Sequence, residues 1–274
     1  LRPNCAQAVP ADQSAALQRA RGPVVFVTRP EREGKRWVQT LRERGFDAHG
    51  LPLIAISAAP DAHALAAARG ALGDCMAAMF VSANAVEGFL AGGARPWPAG
   101  TRAWATGPGT AQALVAAGVP SGQVDAPSAD SARFDSEALW DIVGDGIRPG
   151  DRVLIVRGGD ARGQAAGRDW LAQRLQEAGA RVDTAVAYVR ELPAWDDGRR
   201  ARAMAGTHDG AWWLFSSSEG VDNLARLMAA DWSAARALCT HPRIADAARA
   251  AGFGTVATVR PGLEDIAAFL QSSA

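Results

Sequence analysis

The sequence predicts an α/β protein of two similar domains, each built on a doubly wound parallel sheet. Three observations carry this. Apolar, β-branched runs alternate with amphipathic helical patterns along most of the chain, the signature of strand–helix units around parallel sheets. One strand-to-helix junction, residues 79–89 (MFVSANAVEGF), recurs as residues 214–224 (LFSSSEGVDNL). The repeat keeps its register: Ser82 with Ser217 and Val86 with Val221 share an offset of 135 positions, and Gly45 with Gly179 and Thr106 with Thr240 an offset of 134. Two units of about 125 residues follow, an ordinary domain size.

Residues 23–27 (PVVFV) read as a buried strand ending in Thr28-Arg29-Pro30. Residues 31–44 place Trp37, Val38 and Leu41 on one helix face, and Gly45 stops the helix. A strand is expected over 49–56, with Pro52 marking it as an edge or connector strand. An alanine-rich helix spans 61–73. The repeated strand then meets the polar break Ser82-Ala83-Asn84, whose residues cap a following helix well. A Gly/Pro-rich loop over 91–100 leads to a strand over 102–105, the turn TGPGT over 106–110, and a helix over 111–117 closed by Gly118. A helix over 136–143 takes its cap from Asp135 or Ser136. A strand over 152–156 ends in Arg157-Gly158-Gly159-Asp160, and a helix over 170–178 closes at Gly179. The strand over 182–189 holds the chain's only tyrosine, Tyr188. Beyond it, helices are expected over 198–206, 221–228, 245–251 and 263–270, strands over 211–215, 237–240 and 255–259, and a turn over 241–244 (HPRI).

Composition excludes several function classes. Lysine plus arginine equals aspartate plus glutamate, 29 each, so the chain lacks the basic footprint of a nucleic-acid binder. Lys35 is the only lysine; arginine suits bidentate carboxylate binding, and in an alanine- and glycine-rich chain it also follows from GC-rich coding. Cys5, Cys75 and Cys239 are odd in number and far apart, offering neither a disulfide framework nor a metal cluster, which fits a reducing cytoplasm. Residues 1–21 read as a disordered N-terminal extension without the long apolar core of a signal peptide. No run of about 18 consecutive apolar residues calls for a membrane span.

Ligands of parallel sheets sit at the carboxyl ends of the strands. That surface carries Thr28 and Arg29; Ser82 and Asn84; Thr106, Gly107 and Thr110; Arg157 and Gly158; Ser216, Ser217 and Ser218; and His241 and Arg243. These are hydroxyls, glycines and arginines, mostly beside helix N-termini, where free N–H groups accept carboxylates or phosphates. Each serine or asparagine alone reads first as a helix cap; it is the pattern on both halves that brings in a ligand reading beside it. Standard catalytic equipment is missing. The glycine pairs are too short for a dinucleotide fingerprint, there is no P-loop, no Gly-x-Ser-x-Gly surrounds either serine, and the four histidines are scattered. The expected site binds an anion with many weak donors and needs no metal.

The segments VTRP (27–30), GFDAHGLPLI (45–54), FVSANAVEGF (80–89), TGPGTAQALVAAG (106–118), SEALWDIV (136–143), VLIVRGGDARG (153–163), LQEAGARVDTAVAYVREL (175–192), LFSSSEGVDNL (214–224) and HPRIADAARAAGF (241–253) together resemble the uroporphyrinogen-III synthase family, in order, over most of residues 22–270. The resemblance implies two flavodoxin-like domains facing one cleft. Residues 22–52 and 190–274 would form one, residues 57–186 the other, and linker strands near 51–57 and 185–192 would join them. It implies no cofactor and the substrate hydroxymethylbilane, cyclised to uroporphyrinogen III with inversion of ring D and loss of water. It further implies a cytoplasmic monomer that receives its substrate from the preceding pathway enzyme. Tyr188 matches the family's linker tyrosine, the candidate for assisting departure of the hydroxyl; its other reading is a core aromatic with a paired hydroxyl. Ser82, Ser217 and Thr110 match substrate-contacting hydroxyls. The turn that relatives often write Gly-Pro-Thr-Thr reads Thr240-His241-Pro242-Arg243 here, leaving His241 or Arg243 as its carboxylate contact. The alternative from another class is a non-catalytic two-lobed binding module for a tetrapyrrole or other polycarboxylate.

Overall fold

In the computed structural model, residues 23–91, 96–128, 130–131, 133–160, 162–166 and 169–273 are described. The expected extension over 1–21 and part of the loop over 91–100 lie outside them. In chain order the elements are β1 (Val24–Val27), α1 (Glu31–Glu43), β2 (Asp47–Gly50), β3 (Ala55–Ala58), α2 (Ala62–Gly70), β4 (Ala77–Phe80), α3 (Ala83–Leu90), β5 (Arg102–Ala105), α4 (Pro108–Ala116) and β6 (Val124–Asp125). They continue as α5 (Ser136–Val143), β7 (Arg152–Gly159), α6 (Trp170–Glu177), β8 (Arg181–Glu191), α7 (Asp197–Ala205), β9 (Trp212–Phe215), α8 (Ser218–Leu227), β10 (Arg236–Cys239), α9 (Pro242–Ala250), β11 (Thr255–Thr258) and α10 (Leu263–Ser272).

The chain divides into two units, one running to Ala55 and resuming at Leu192, the other spanning Ile56–Glu191. The first holds a five-stranded sheet ordered β11-β10-β9-β1-β2, parallel in each pairing. Side chains alternate across it. Trp213 and Phe215 of β9 pack on one face with Trp232 and Phe253, while Trp212 and Leu214 join Val25, Val27, Leu41 and Leu270 on the other. A sheet buried on both faces is what continuous apolar strands require. The second unit holds a six-stranded sheet ordered β3-β8-β7-β4-β5-β6, again with an apolar cluster on each face.

The local signals explain most of these elements. Helix α1 begins with Glu31 and Glu33 and ends with Arg42, matching its macrodipole, and Gly45 turns it off at φ 88°. Asp61, Asp135 and Asp196 cap α2, α5 and α7 by accepting from the N–H three residues on.

Four expectations need correction. The strand over 49–56 is two strands, β2 and β3, broken at residues 51–54. Pro52 has no N–H for a ladder, and its carbonyl instead accepts from Trp195 Nε1 at 2.8 Å, while Leu53 O accepts from Asn223 Nδ2 at 2.9 Å. The residues expected as linkers thus include β3 and β8, which lie side by side in the second sheet. Helices α4, α8 and α9 each start about three residues early, and the expected turn over 241–244 is the first turn of α9. For α4 and α9 the reason is proline: Gly107-Pro108 and His241-Pro242 put it at the first helical position, where a missing N–H costs nothing. Finally, β7 does not stop at Val156 but runs through Arg157 and Gly158 to Gly159.

That extension depends on a register shift. Arg157 faces Val186 across the β7–β8 pair, but Gly158 faces Tyr188, so Ala187 is the extra residue of a bulge. Helix α3 packs onto this bulge through Gly88: a Cβ there would sit 2.3 Å from the Ala187 carbonyl oxygen. Gly88→Ala is therefore expected to destabilise the protein by about 1–3 kcal/mol, as overpacking does. Gly70→Ala, with nothing within 4 Å of the new methyl, should be neutral or stabilising. Paired thermal melts check this; equal melting temperatures for the two variants would contradict the close packing of α3 on β8.

Candidate functional site

Each sheet reverses its strand order once, between β1 and β9 in the first unit and between β4 and β7 in the second. The carboxyl ends of those strands are where open α/β sheets leave a crevice. The sequence-expected residues can be placed on them one by one.

In the second unit, Ser82 follows β4 and is the N-cap of α3. Its Oγ accepts from Ala85 N at 3.2 Å and lies 3.1 Å from the Tyr188 hydroxyl. Tyr188 is on β8, which is not adjacent to β4; β7 runs between them. Neighbouring strands lie about 4.8 Å apart, so the ring must cross β7 to reach Ser82. It crosses at Gly158, where a Cβ would stand 2.6 Å from Tyr188 Cζ. The ring is 5% exposed and belongs to the apolar cluster with Phe80, Val86 and Phe89. The structure thus brings together Ser82, Gly158 and Tyr188, separated by as much as 106 residues in sequence. Asn84 stands beside Ser82 in the first turn of α3, which carries no acidic residue.

The other residues of this rim fare differently. Arg157 points into the protein, 6% exposed, with its guanidinium donating to Asp169. Gly107 and Thr110 are buried at the start of α4, Gly107 against Phe134, while Thr106 is half-buried.

In the first unit, Thr28 is buried, and its hydroxyl donates to Leu214 O at 2.7 Å, extending the β1–β9 pairing. Arg29 leans back over α1. It pairs with Glu33 and stacks on Trp37 with its guanidinium carbon 4.0 Å from the ring centroid. Burial pulls its pKa below the ordinary arginine value, against the opposing charge of Glu33. A cavity of about 400 Å³ opens beside it, lined among others by Lys35, Gln39, Arg42, Gly50 and Pro52. Sequence reasoning missed Lys35 and Arg42 as neighbours of Arg29, although Lys35, Gln39 and Arg42 follow one another at steps of about one helical turn and so share a face of α1. Ser216, Ser217 and Ser218 are half-buried at the end of β9, and Ser217, the N-cap of α8, makes no side-chain cap bond. His241 caps α9 by accepting from Arg243 N on Nδ1 at 3.1 Å, so in the neutral ring Nε2 carries the proton and is the donor; both residues are exposed.

Chemically these rims offer hydroxyls, N–H groups and a few cations. Burial pushes the Cys239 thiol up to about 12 and raises Cys75 as well, so neither is a thiolate nucleophile near neutral pH. Among the described residues no three His, Cys, Asp or Glu side chains gather as a metal site would need.

The profile of the family described as uroporphyrinogen-III synthase HemD matches residues 35–268. The chain belongs to the uroporphyrinogen-III synthase family. Its members are cofactor-independent lyases of haem biosynthesis. Two solved structures share the α/β fold. A uroporphyrinogen-III synthetase from Helicobacter pylori is 16% identical, with a TM-score of 0.53 over 92% of this chain and 99% of that one. A mutant uroporphyrinogen III synthase from Thermus thermophilus is 20% identical, with a TM-score of 0.50 over 91% of this chain and 96% of that one.

Two outcomes test this geometry. Gly158→Ala should lower the melting temperature and displace Tyr188 from Ser82, read as a slower reaction; an unchanged melt and rate would show that the ring does not depend on that glycine. Cys75 and Cys239 should resist alkylation until the protein is unfolded, checked by peptide mass mapping; rapid labelling of either in the native state would contradict its burial.

Proposed function

We propose that this chain closes hydroxymethylbilane to uroporphyrinogen III by imposing shape, with rim hydroxyls and helix N-termini as its working groups. The single observation carrying the reading is the Ser82–Tyr188 hydroxyl pair at a helix N-terminus. Departure of the ring A hydroxyl as water leaves an electrophilic azafulvene. Ring D attacks through its substituted carbon to give a spiro intermediate, which fragments and recloses with ring D inverted. The electron-rich pyrrole already activates the leaving group, so only modest proton donation is required. Uncatalysed closure gives the uninverted type I isomer, so the harder task is holding the chain of rings in the inverting geometry, and positioning is a large effect.

The substrate's eight carboxylates suit the donors found on each unit's rim. Ser216, Ser217 and Ser218, the exposed His241 and Arg243, and the N-terminal turns of α3 and α4 with Asn84, Thr106, Gly107 and Thr110 are read as carboxylate contacts. Arg29, beside its cavity, serves the same end. Thr28, Arg157 and Gly158, whose side chains or positions are committed inside the protein, are read as supports of the rim. We further read the chain as a cytoplasmic monomer supplied by the enzyme that makes hydroxymethylbilane; two buried thiols suit a reducing compartment.

The experiment is direct. Freshly generated hydroxymethylbilane, supplied with a chelator present, should yield the type III isomer, identified by chromatography after oxidation. Type I product alone would sink the enzyme reading and favour a binding module.

A further inference from the structure

The hydrogen atoms of the Ser82–Tyr188 pair can be assigned by counting. Tyr188 is buried, and among the described residues Ser82 is its hydroxyl's one hydrogen-bond partner. A buried phenol whose proton finds no acceptor is costly, so the phenol donates to Ser82 Oγ. Ala85 N–H donates to the same oxygen. Both lone pairs of Ser82 are then occupied, and its own proton is the one left over. Ser82 is half-buried at the strand end, so that proton faces outward. An oxygen accepting two hydrogen bonds becomes a better donor, and the N-terminus of α3 favours negative charge growing beside it.

We infer that Ser82, not Tyr188, presents the proton to the departing hydroxyl, and that Tyr188 is a positioning residue acting through it. The inference rests on the reaction proposed above and reverses the order in which the sequence ranks the two. As the carbon–oxygen bond of the hydroxymethyl group breaks, the oxygen keeps the electron pair and takes the Ser82 proton, leaving as water. Ser82 takes the phenol proton in turn. The proton shed when the new macrocycle regains its aromatic pyrrole restores the phenol, so protons balance over one turnover.

The test is a double-variant cycle on the initial rate of type III formation. Ser82→Ala should slow kcat about 5- to 150-fold with little change in KM, the effect of one lost donor. Ser82→Thr, which keeps a hydroxyl, should recover most of the rate. Tyr188→Phe should slow the wild type less, and should add nothing in the Ser82→Ala background. An equal slowing by Tyr188→Phe in both backgrounds would overturn the inference and put the phenol itself on the substrate. Wild-type rate in Ser82→Ala would overturn it too. Thermal melts accompany each variant; if Ser82→Ala does not fold, Ser82→Gly takes its place, since glycine is tolerated at a cap. A readout independent of activity uses the single tyrosine. With isotope-labelled tyrosine, the phenol carbon gives one resonance, which Ser82→Ala should shift in the free protein; an unmoved resonance refutes the hydrogen bond. Failure of the reaction proposal looks different, because the wild type would then make only type I product before any variant is compared.

Discussion

Tyr188 lies across β7 because Gly158 has no side chain to stop it. Much else in the second unit answers to that crossing. The bulge at Ala187 moves Tyr188, and not its neighbour, opposite Gly158. Gly88 lets α3 settle against the bulge, and α3 in turn carries its N-cap, Ser82, to within 3.1 Å of the phenol. Two glycines, one extra residue in a strand and one cap form a closed set: a methyl group at either glycine would push a ring or a helix out of place. The phenol of that pair is buried, and on that side the hydrogen bond weighs more than it would in solvent.

The fold was largely legible because its signals are local and repeated. Offsets of 134 and 135 residues matched junctions that occupy equivalent places, Ser82 after β4 with Ser217 after β9, and Gly107-Pro108 after β5 with His241-Pro242 after β10. Errors arose where one residue carries two meanings. Pro52 was legible as a weak point in a strand but not as a break, since the break depends on Trp195 and Asn223, distant residues that hold its carbonyls. Proline in HPRI reads as a turn by composition and as a helix start once a cap precedes it.

The site was legible only in outline. Strand ends are visible in sequence; the direction of a side chain at a strand end is not, because it follows from register. Thr28 lies where expected, just past β1, and Arg157 lies inside β7 rather than after it, yet both are buried. The approach of Tyr188 to Ser82 follows from the order β8-β7-β4, which no local pattern encodes. The cations beside Arg29 were hidden for a simpler reason: a helix face of alternating sign reads as a solvated surface until a cavity is found against it.

The same duplication that made the fold readable has not kept the two rims chemically alike. Helix α3 begins without an acidic residue, so its N-terminal charge is open to an anion, whereas α8 carries Glu219 in its first turn. Ser82 has a cap bond and a phenol behind it; Ser217 makes no cap bond. At the second pair of junctions the difference runs the other way. Gly107 faces Phe134 closely enough that a Cβ would stand 3.2 Å from it, while His241 is exposed and caps its helix with an imidazole. On the reaction proposed above, proton donation falls to one junction of one unit, and the other junctions carry groups suited to holding carboxylates. A reaction whose difficulty is geometric asks for that division: many weak holding contacts, and one polarised donor placed where the leaving group departs.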